Sequence, residues 1–464
     1  MLRGLAATLL LALLAGAGLF VAAGRGTPPS LAVVRPERLA GQTGELEVTA
    51  GAPGGRLSAL TVTFEQDGQQ TQIFSLDAPG DAAISQAEAD VIRVTRPLGP
   101  ASIPGLHSGP ARLIVAATRP GLLNLRTLSS EIAHDIEIRL EPPRLSVVST
   151  FHYVNHGGSE VVLYQVSPPD VESGVRVGDH EYRGFPASGA GVPGADPSLH
   201  MAVFALLHDQ DLQTPMAIFA RDGAGNEATA SFVDRVFPRP FRRSQINLDD
   251  RFLSRVVPEI LQHSPELDVA PPTGDLLPAF LAVNGQLRQE NAETIAGLTR
   301  DTSPAMLWDG PFVQLGNSAV EAGFADHRTY FYNGDEVDQQ VHLGFDLAVT
   351  AAVPIAAANS GRVLFADWLG IYGNCVIIDH GLGVASLYGH LSSIEVAVGD
   401  NVTKGQTLGR SGMTGLAGGD HLHFTMLVGG QPVNPVEWWD SIWMRDRVTR
   451  KLVQAGAPER APAQ

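Results

Sequence analysis

Short apolar runs separated by turn-forming residues constrain the fold of this chain most strongly. Runs such as LSALTVTF (57–64), ARLIVAAT (111–118) and MAVFALL (201–207) alternate with clusters of Gly, Pro, Asn and Asp between about Leu31 and Phe237. This pattern is typical of strands in β-sandwiches. Gly and Pro together supply 82 of the 464 residues, as 50 Gly and 32 Pro, which also favours strands and turns over long helices. We therefore predict a mainly β chain.

Length and charge set the number of domains and exclude one class of partner. A chain of 464 residues predicts about three domains at the usual ~150 residues each. The net charge of −17 argues against nucleic acid as a partner, because a phosphate backbone requires a cationic surface. The single cysteine, Cys375, excludes an intrachain disulfide.

Changes in pattern along the chain predict the domain boundaries. Two sandwiches divide near Pro142-Pro143, and apolar residues recur at helical spacing in the segment that follows them. The predicted domains are a membrane anchor or signal segment (1–28), a β-sandwich (29–142), an immunoglobulin-like β-sandwich (143–237), a short helical linker (238–303), a C-terminal domain (304–445) and a disordered tail (446–464).

The N-terminus carries an apolar segment that predicts a membrane helix. Residues 4–24, GLAATLLLALLAGAGLFVAAG, contain no charge, and a helix of this length spans ~30 Å. We favour an uncleaved anchor over a cleaved secretory signal, because Ala22-Ala23-Gly24 offers only a loose version of a cleavage site.

The histidines cluster in the C-terminal third. Six of the 14 histidines lie between His327 and His423. His342 and Asp346 are four residues apart in HLGFD, and His421 and His423 are two apart in HLHF. Even separations place side chains on one face of an extended strand, where imidazole and carboxylate groups can converge on a cation. Spacing alone leaves a metal site and ordinary core or surface histidines as alternatives.

The order of the motifs carries a family resemblance. H-x-G-x-D, a YGHL strand with Tyr388 and His390, the hairpin GDNVTKGQTLG and TGLAGGDHLHF follow one another between about Phe324 and Trp439. This series closely resembles the lysostaphin-type, or LytM-type, M23 metallopeptidase family over about a quarter of the chain. The resemblance implies that residues 304–445 form a peptidase domain built on an antiparallel β-sheet.

The resemblance also implies a set of site residues. One Zn²⁺ per chain would be held by His342, Asp346 and His423, and His390 and His421 would be the catalytic histidines that do not bind the metal. Three protein ligands leave a fourth position for water, as in catalytic zinc sites, and zinc lowers the pKa of that water to about 7. Because all five positions are occupied, we expect a working metalloendopeptidase.

Three further residues carry weaker expectations. Arg328 lies near an arginine often found upstream of the first ligand in this family and could bind a substrate carboxylate, with a surface ion pair as the alternative. Tyr388 could reach the oxyanion, with aromatic packing in its strand as the alternative. Arg288, in NGQLRQEN (284–291), is predicted to be a solvated residue on a polar helix face.

The family cuts peptide bonds in the stem peptide or cross-bridge of bacterial peptidoglycan. The resemblance therefore implies peptidoglycan as substrate, the membrane as a partner through the N-terminal helix, and cell-wall regulatory proteins as candidate partners. We expect the chain in the cell envelope, anchored in the inner membrane with the catalytic domain in the periplasm, or secreted if the N-terminus is cleaved. The alternative function is a wall-binding or amidase-activating module whose groove is occluded by its own upstream region.

Overall fold

Strands dominate the structure, a computed structural model that describes residues 2–265, 267, 269 and 274–458. The predicted mainly β class is confirmed. The described chain divides into two units, which are Met1–Pro143 with Arg221–Glu227 and Arg144–Ala220 with Ala228–Gln464.

The first element is helix α1 (Leu2–Ala23). Among the residues that the structure describes, no helix has both the length and the hydropathy needed to cross a membrane. The prediction of a membrane-spanning helix is therefore not supported by the structure.

Two sheets with a shared apolar core form the rest of the first unit. Its strands are β1 (Ser30–Arg35), β2 (Leu39–Ala40), β3 (Gly44–Gly51), β4 (Ala59–Gln66), β5 (Gln69–Ser75), β6 (Ala83–Glu88), β7 (Val91–Leu98), β8 (Gly109–Pro120) and β9 (Thr127–Ile138). The strand orders are β1-β3-β7-β6 and β2-β9-β8-β4-β5. Alternate residues of β4 are buried, which matches the period-two pattern of a strand with one face on the core.

The second unit begins with a seven-stranded sheet. Its N-terminal strands are β10 (Arg144–Val147), β11 (Tyr153–Asn155), β12 (Ser159–Ser167), β13 (Glu172–Val177), β14 (His180–Pro186), β15 (Leu199–Ala205), β16 (Met216–Arg221), β17 (Glu227–Ser231) and β18 (Arg235–Phe237). The order in the sheet is β10-β12-β15-β14-β13-β16-β17, and β11 pairs with β18 in parallel. The immunoglobulin-like class of this region stays a prediction.

The segment predicted as a helical linker starts with a strand. The elements are β19 (Arg243–Leu248) and the helices α2 (Asp250–His263), α3 (Leu277–Ala282) and α4 (Arg288–Leu298), with a π-helical turn at Val283–Leu287 between α3 and α4. The strand was not predicted, because its six residues are too short and too polar to stand out in sequence. Strand β19 is held by a parallel pairing with a strand about eighty residues later.

The C-terminal region contains an antiparallel sheet, as predicted. Its strands and helices are β20 (Ala319–Ala322), β21 (Asp326–Tyr332), β22 (Asp335–His342), β23 (Phe345–Ala348), β24 (Pro354–Ala356), β25 (Gly361–Trp368), β26 (Asn374–Gly381), β27 (Val384–Leu391), β28 (Ser393–Ile394), β29 (Asn401–Val402), β30 (Thr407–Arg410), β31 (His421–Val428), β32 (Gln431–Val433), α5 (Pro435–Trp439), α6 (Ser441–Trp443) and α7 (Arg450–Gln454). The sheet order is β20-β23-β31-β27-β26-β25-β29. All residues of β27 and β31 are buried, which explains their apolar composition.

One apolar core runs from the seven-stranded sheet into the C-terminal sheet. Val162 and Phe204 of the former belong to the same buried cluster as Phe424 of the latter and Trp438 of helix α5. The indole Nε1 of Trp438 donates to Ser159 Oγ at 3.2 Å. The apolar core of the C-terminal region therefore includes residues that lie far upstream in the sequence.

The segment predicted as a disordered tail is ordered as far as the structure describes it. Residues Met444–Thr449 and α7 continue as helix, and Lys451 is buried with its Nζ 2.9 Å from Glu160 Oε1 on β12. This buried ion pair and the apolar contacts of Leu452 hold the segment against the core. Residues 459–464 of the predicted tail lie outside the described residues.

Candidate active site

Two histidines and an aspartate bring their polar atoms together between β22, β23 and β31. Asp346 lies directly opposite His423 in the antiparallel pairing of β23 with β31, and His342 ends the preceding strand. His342 Nε2 is 2.9 Å from Asp346 Oδ1 and 3.1 Å from His423 Nδ1. His423 Nδ1 is 2.9 Å from the same carboxylate oxygen. The three residues that the family resemblance pointed to therefore form one cluster.

The cluster forms because neighbouring strands pair, and not because its residues alternate along a single strand. The sequence analysis placed His342 and Asp346 on a single extended strand, but β22 ends at His342 and β23 begins at Phe345. Gly344 lies in the break. A Cβ atom there would come within 2.5 Å of His423 Nε2 and 2.7 Å of Thr425 Oγ1, so the close approach requires glycine.

Hydrogen bonds fix which nitrogen of each clustered histidine is free. His342 Nδ1 lies 3.1 Å from the carbonyl oxygen of Gly323, which can only accept, so Nδ1 carries the proton and Nε2 is bare. Thr425 Oγ1 donates to Leu343 O at 3.0 Å and therefore accepts from His423 Nε2 at 3.0 Å. His423 Nδ1 is bare as a result, and it faces the cluster.

These residues fit a zinc ion. Two bare imidazole nitrogens and a carboxylate oxygen point at one another with no proton between them, an arrangement that a cation stabilises. A tetrahedral ion with bonds of ~2.0–2.1 Å places its ligand atoms about 3.3–3.4 Å apart, close to the separations here.

Two further histidines face the cluster. The ring centroids of His390 and His421 are 4.8 Å apart, and those of His390 and His423 are 5.7 Å apart. His390 Nδ1 lies 2.8 Å from Thr414 O, and His421 Nδ1 lies 2.8 Å from Gly419 O. Both Nε2 atoms are therefore unprotonated in the neutral rings and are available to accept a proton.

The surroundings of these two histidines differ. His421 Nε2 is 3.4 Å from Asp346 Oδ1, and although burial opposes it, this carboxylate raises the pKa of His421. Burial instead lowers the pKa of His390 well below its ordinary value, and the adjacent His421 adds to that effect. His390 also adopts φ +63°, a left-handed conformation that is uncommon for histidine and is typical of strained functional positions.

Arg328 contacts the cluster. Its Nη2 is 3.0 Å from Asp346 Oδ2, and its side chain is only 20% exposed. The ion pair is therefore not on the surface, whereas the contact of Arg328 with a substrate carboxylate stays a prediction. Arg328 holds one oxygen of Asp346 and leaves Oδ1 directed at the two histidines.

Tyr388 is not a substrate contact. Its ring is 1% exposed in the apolar core, and its hydroxyl accepts from Ala358 N at 2.8 Å and from Ser386 Oγ at 3.0 Å. Tyr388 and His390 are two residues apart, but their side chains do not share a face of β27, because the left-handed backbone of His390 interrupts the alternation of the strand.

A cavity of about 800 Å³ contains the cluster and both further histidines. Tyr372 lines it, with its ring 5.3 Å from that of His423. Phe280, Arg288 and Ala292 of the helical segment also line it. Sequence reasoning missed these residues. Thr425 could have been predicted from the sequence, because it continues the alternation of His421 and His423 along one strand. The helical residues in the wall of the cavity could not, because their position depends on tertiary packing.

Comparison with known proteins identifies the C-terminal region. Residues 340–435 match the pattern of Peptidase family M23. The chain is 43% identical over 97 residues to the DD-carboxypeptidase/endopeptidase Mpg of Neisseria meningitidis serogroup B, a match that covers 21% of this chain and 22% of the relative. It is 38% identical over 96 residues to the peptidoglycan DD-endopeptidase ShyA of Vibrio cholerae, covering 21% and 22%.

A third relative has a different role. The chain is 39% identical over 95 residues to the murein hydrolase activator EnvC of Escherichia coli, which covers 20% of this chain and 23% of the relative. The chain thus spans less than a quarter of the length of these relatives. The segment that matches the family, residues 340–435, contains His342, Asp346 and His423. Residues 340–435 of this chain are therefore similar to the domain that defines Peptidase family M23.

Proposed function

We propose that this protein is a zinc-dependent endopeptidase that hydrolyses peptide bonds in the stem peptide or cross-bridge of bacterial peptidoglycan. The observation that carries the proposal is the convergence of His342, Asp346 and His423 on one point, with His390 and His421 facing it across the same cavity. The names of the relatives Mpg and ShyA support this substrate and reaction.

We assign His342, Asp346 and His423 as the ligands of one Zn²⁺ per chain. When bound, the ion supplies a Lewis acid that activates a water molecule for attack on an amide carbonyl. Arg328 orients the carboxylate of Asp346, and Thr425 sets the tautomer of His423. Contacts of this kind keep ligands in position and tune their basicity.

His390 and His421 carry the proton transfers in this proposal. A bare Nε2 of one ring accepts the proton that the attacking water loses. The protonated ring then gives that proton to the nitrogen of the leaving amine as the C–N bond breaks, while the other ring, in its protonated form, donates from Nε2 to the oxyanion. The products are a carboxylic acid and an amine, which together contain the atoms of the peptide and of one water molecule.

We further propose that the protein acts in the cell envelope, with the catalytic region outside the cytoplasm. The uncharged apolar segment at residues 4–24 supports export. Cell fractionation combined with N-terminal sequencing of the mature protein tests this proposal. Recovery of the protein only from the cytoplasm would contradict it.

The direct test is digestion of purified cross-linked peptidoglycan by the full chain, followed by mass spectrometry of the products. We expect new amine and carboxyl ends when zinc is present, none after chelation, and recovery when zinc is restored. The exposed His327→Ala variant serves as a matched control that keeps the activity. No cleavage by the zinc-loaded chain would contradict the proposal.

The second candidate is a wall-binding or amidase-activating module. The similarity to the activator EnvC favours it. Under this alternative the full chain binds peptidoglycan and stimulates a purified amidase but releases no cleaved peptides. The same digestion, run with and without the amidase, distinguishes the two candidates.

A further inference from the structure

One arginine of the helical segment is held in a fixed orientation in the wall of the active-site cavity. Arg288 Nε donates to the backbone oxygen of Asn284 at 3.0 Å, and its Nη2 donates to Asn284 Oδ1 at 2.5 Å. Asn284 is fully buried and donates to Asp338 Oδ2 at 2.7 Å. The chain from Asp338 through Asn284 thus fixes the guanidinium plane before any ligand arrives.

The guanidinium keeps donors for another partner. Arginine has five N–H groups, and these two bonds use one on Nε and one on Nη2. Both N–H groups of Nη1 and the second one of Nη2 stay available, which is the edge that binds a carboxylate in a bidentate manner. Among the residues that the structure describes, no carboxylate lies within ion-pair distance of Arg288.

The position of Arg288 relates it to the reaction. It lines the same cavity as His390, His421 and His423. Tyr372, whose ring centroid is 5.3 Å from that of His423, lines this cavity as well. Arg288 and the candidate metal ligands therefore line one cavity.

Three carboxylates that line the cavity already have partners. Asp346 is bound by Arg328, and Asp326 accepts from Ser244 Oγ at 2.8 Å. Glu293 accepts from Gln289 Nε2 at 3.1 Å. Arg288 is thus a half-buried, preorganised cation in the wall of the cavity.

We propose that Arg288 is a binding subsite for a free carboxylate of the peptide substrate. This inference rests on the proposed function and narrows its substrate class. A cross-bridge of glycine residues carries no side-chain carboxylate, whereas stem peptides carry free carboxylates beside their amide bonds. The subsite therefore selects stem peptides over glycine cross-bridges.

Binding of synthetic stem peptides tests the inference. Two cross-linked stem-peptide dimers, identical except that the free carboxylates of one are amidated, are titrated calorimetrically into the full chain carrying His421→Ala to suppress turnover. We expect Arg288→Gln to weaken binding of the carboxylate dimer by ~10- to 100-fold, the loss typical for a charged hydrogen-bonded pair. Binding of the amidated dimer should not change.

Two matched variants complete the design. Arg300→Gln removes the same charge from an exposed residue outside the cavity and should leave both affinities unchanged. Arg288→Lys keeps the charge but loses the bidentate edge and should give an intermediate loss. Thermal melting confirms that each variant folds. Equal effects of Arg288→Gln on both dimers, or no effect on either, would overturn the inference.

This outcome is distinct from failure of the proposed function. A chain that binds the carboxylate dimer through Arg288 but cleaves no peptidoglycan would refute the peptidase and keep the subsite. A chain that cleaves peptidoglycan with the same efficiency in wild-type and Arg288→Gln forms would keep the peptidase and refute the subsite.

Discussion

Thr425 shows at the scale of single residues how neighbours prepare a metal ligand. Its hydroxyl links His423 Nε2 to the backbone of Leu343 and so holds the Nδ1 lone pair toward Asp346. Such outer contacts restrict the ring to one tautomer and one orientation. They therefore contribute to metal affinity although they do not touch the ion.

We predict that Thr425→Val lowers zinc affinity by ~10- to 100-fold, because valine keeps the shape and removes the hydroxyl. Thr425→Ser restores the hydroxyl and should restore most of the affinity. Competition with a chromogenic chelator measures both. Unchanged affinity of Thr425→Val would show that His423 does not depend on this contact.

The residues of the cluster were predictable and two of their neighbours were not. The motif order pointed to His342, Asp346 and His423, and the structure brings their polar atoms together. Tyr388 was expected to reach the oxyanion, which assumes that side chains alternate regularly along its strand. His390 interrupts that alternation, because its backbone adopts φ +63°. The partner of Arg328 depends on how β21 lies beside β23, which is a tertiary contact that sequence spacing does not contain.

At the scale of elements, helix α5 is joined to β12 by a buried carboxyl group. Glu437 Oε2 accepts from Ser159 N at 2.7 Å, and its Oε1 accepts from Asn155 Nδ2 at 2.7 Å. Burial raises the pKa of Glu437 from 4.5 to about 7, with Glu160 adding to the rise and Arg239 opposing it. The two hydrogen bonds that Glu437 accepts favour the carboxylate and lower this pKa, but the effect of burial outweighs them.

This shift predicts a pH dependence of stability. Because the folded pKa lies above the unfolded one, the folded state holds more protons between pH 4.5 and about 7, and stability falls as pH rises through that window. The loss due to Glu437 is about 3 kcal/mol at full ionisation. We expect Glu437→Gln to remove it, as measured by the free energy of unfolding at pH 5 and pH 8.

The exposed Glu395→Gln variant is the control for that prediction and should follow the wild type. If the wild type and Glu437→Gln lose equal stability between the two pH values, the buried carboxyl group does not account for the dependence.

Elements with a clear period were predictable, and those fixed by distant partners were not. The apolar runs LSALTVTF, ARLIVAAT and MAVFALL overlap strands β4, β8 and β15. Strand β19 was not predicted, because its six residues are held in an extended conformation by pairing with β21. The helical wall of the cavity was not predicted for the same reason. Amphipathic spacing shows that one face of a helix is buried, but it does not show which other element that face packs against.

At the scale of the whole molecule, the C-terminal region shares its apolar core with residues far upstream in the sequence. The sequence analysis treated residues 304–445 as a separate domain, yet Val162 and Phe204 belong to the same buried cluster as Trp438. The Glu160–Lys451 ion pair and the Glu437 hydrogen bonds join the same two regions. Sequence periodicity predicts that each region has a core but not that the two cores merge.

We predict that a fragment comprising residues 304–464 is much less stable than one comprising 144–464. Removing the upstream sheet exposes buried apolar side chains, each worth ~1.5–3 kcal/mol, and leaves Lys451 without Glu160. Thermal melting of the two fragments measures the difference. Equal melting temperatures would mean that the shared core contributes little.

The central claim is that His342, Asp346 and His423 hold one zinc ion while His390 and His421 move protons. The most direct test is the zinc content of the purified full chain and its histidine variants, with turnover followed in the same samples. We expect one zinc per wild-type chain, loss of both zinc and turnover in His423→Ala, and full zinc in His421→Ala with turnover lower by ~10²- to 10⁴-fold. Loss of zinc from His421→Ala together with its retention by His423→Ala would contradict the account.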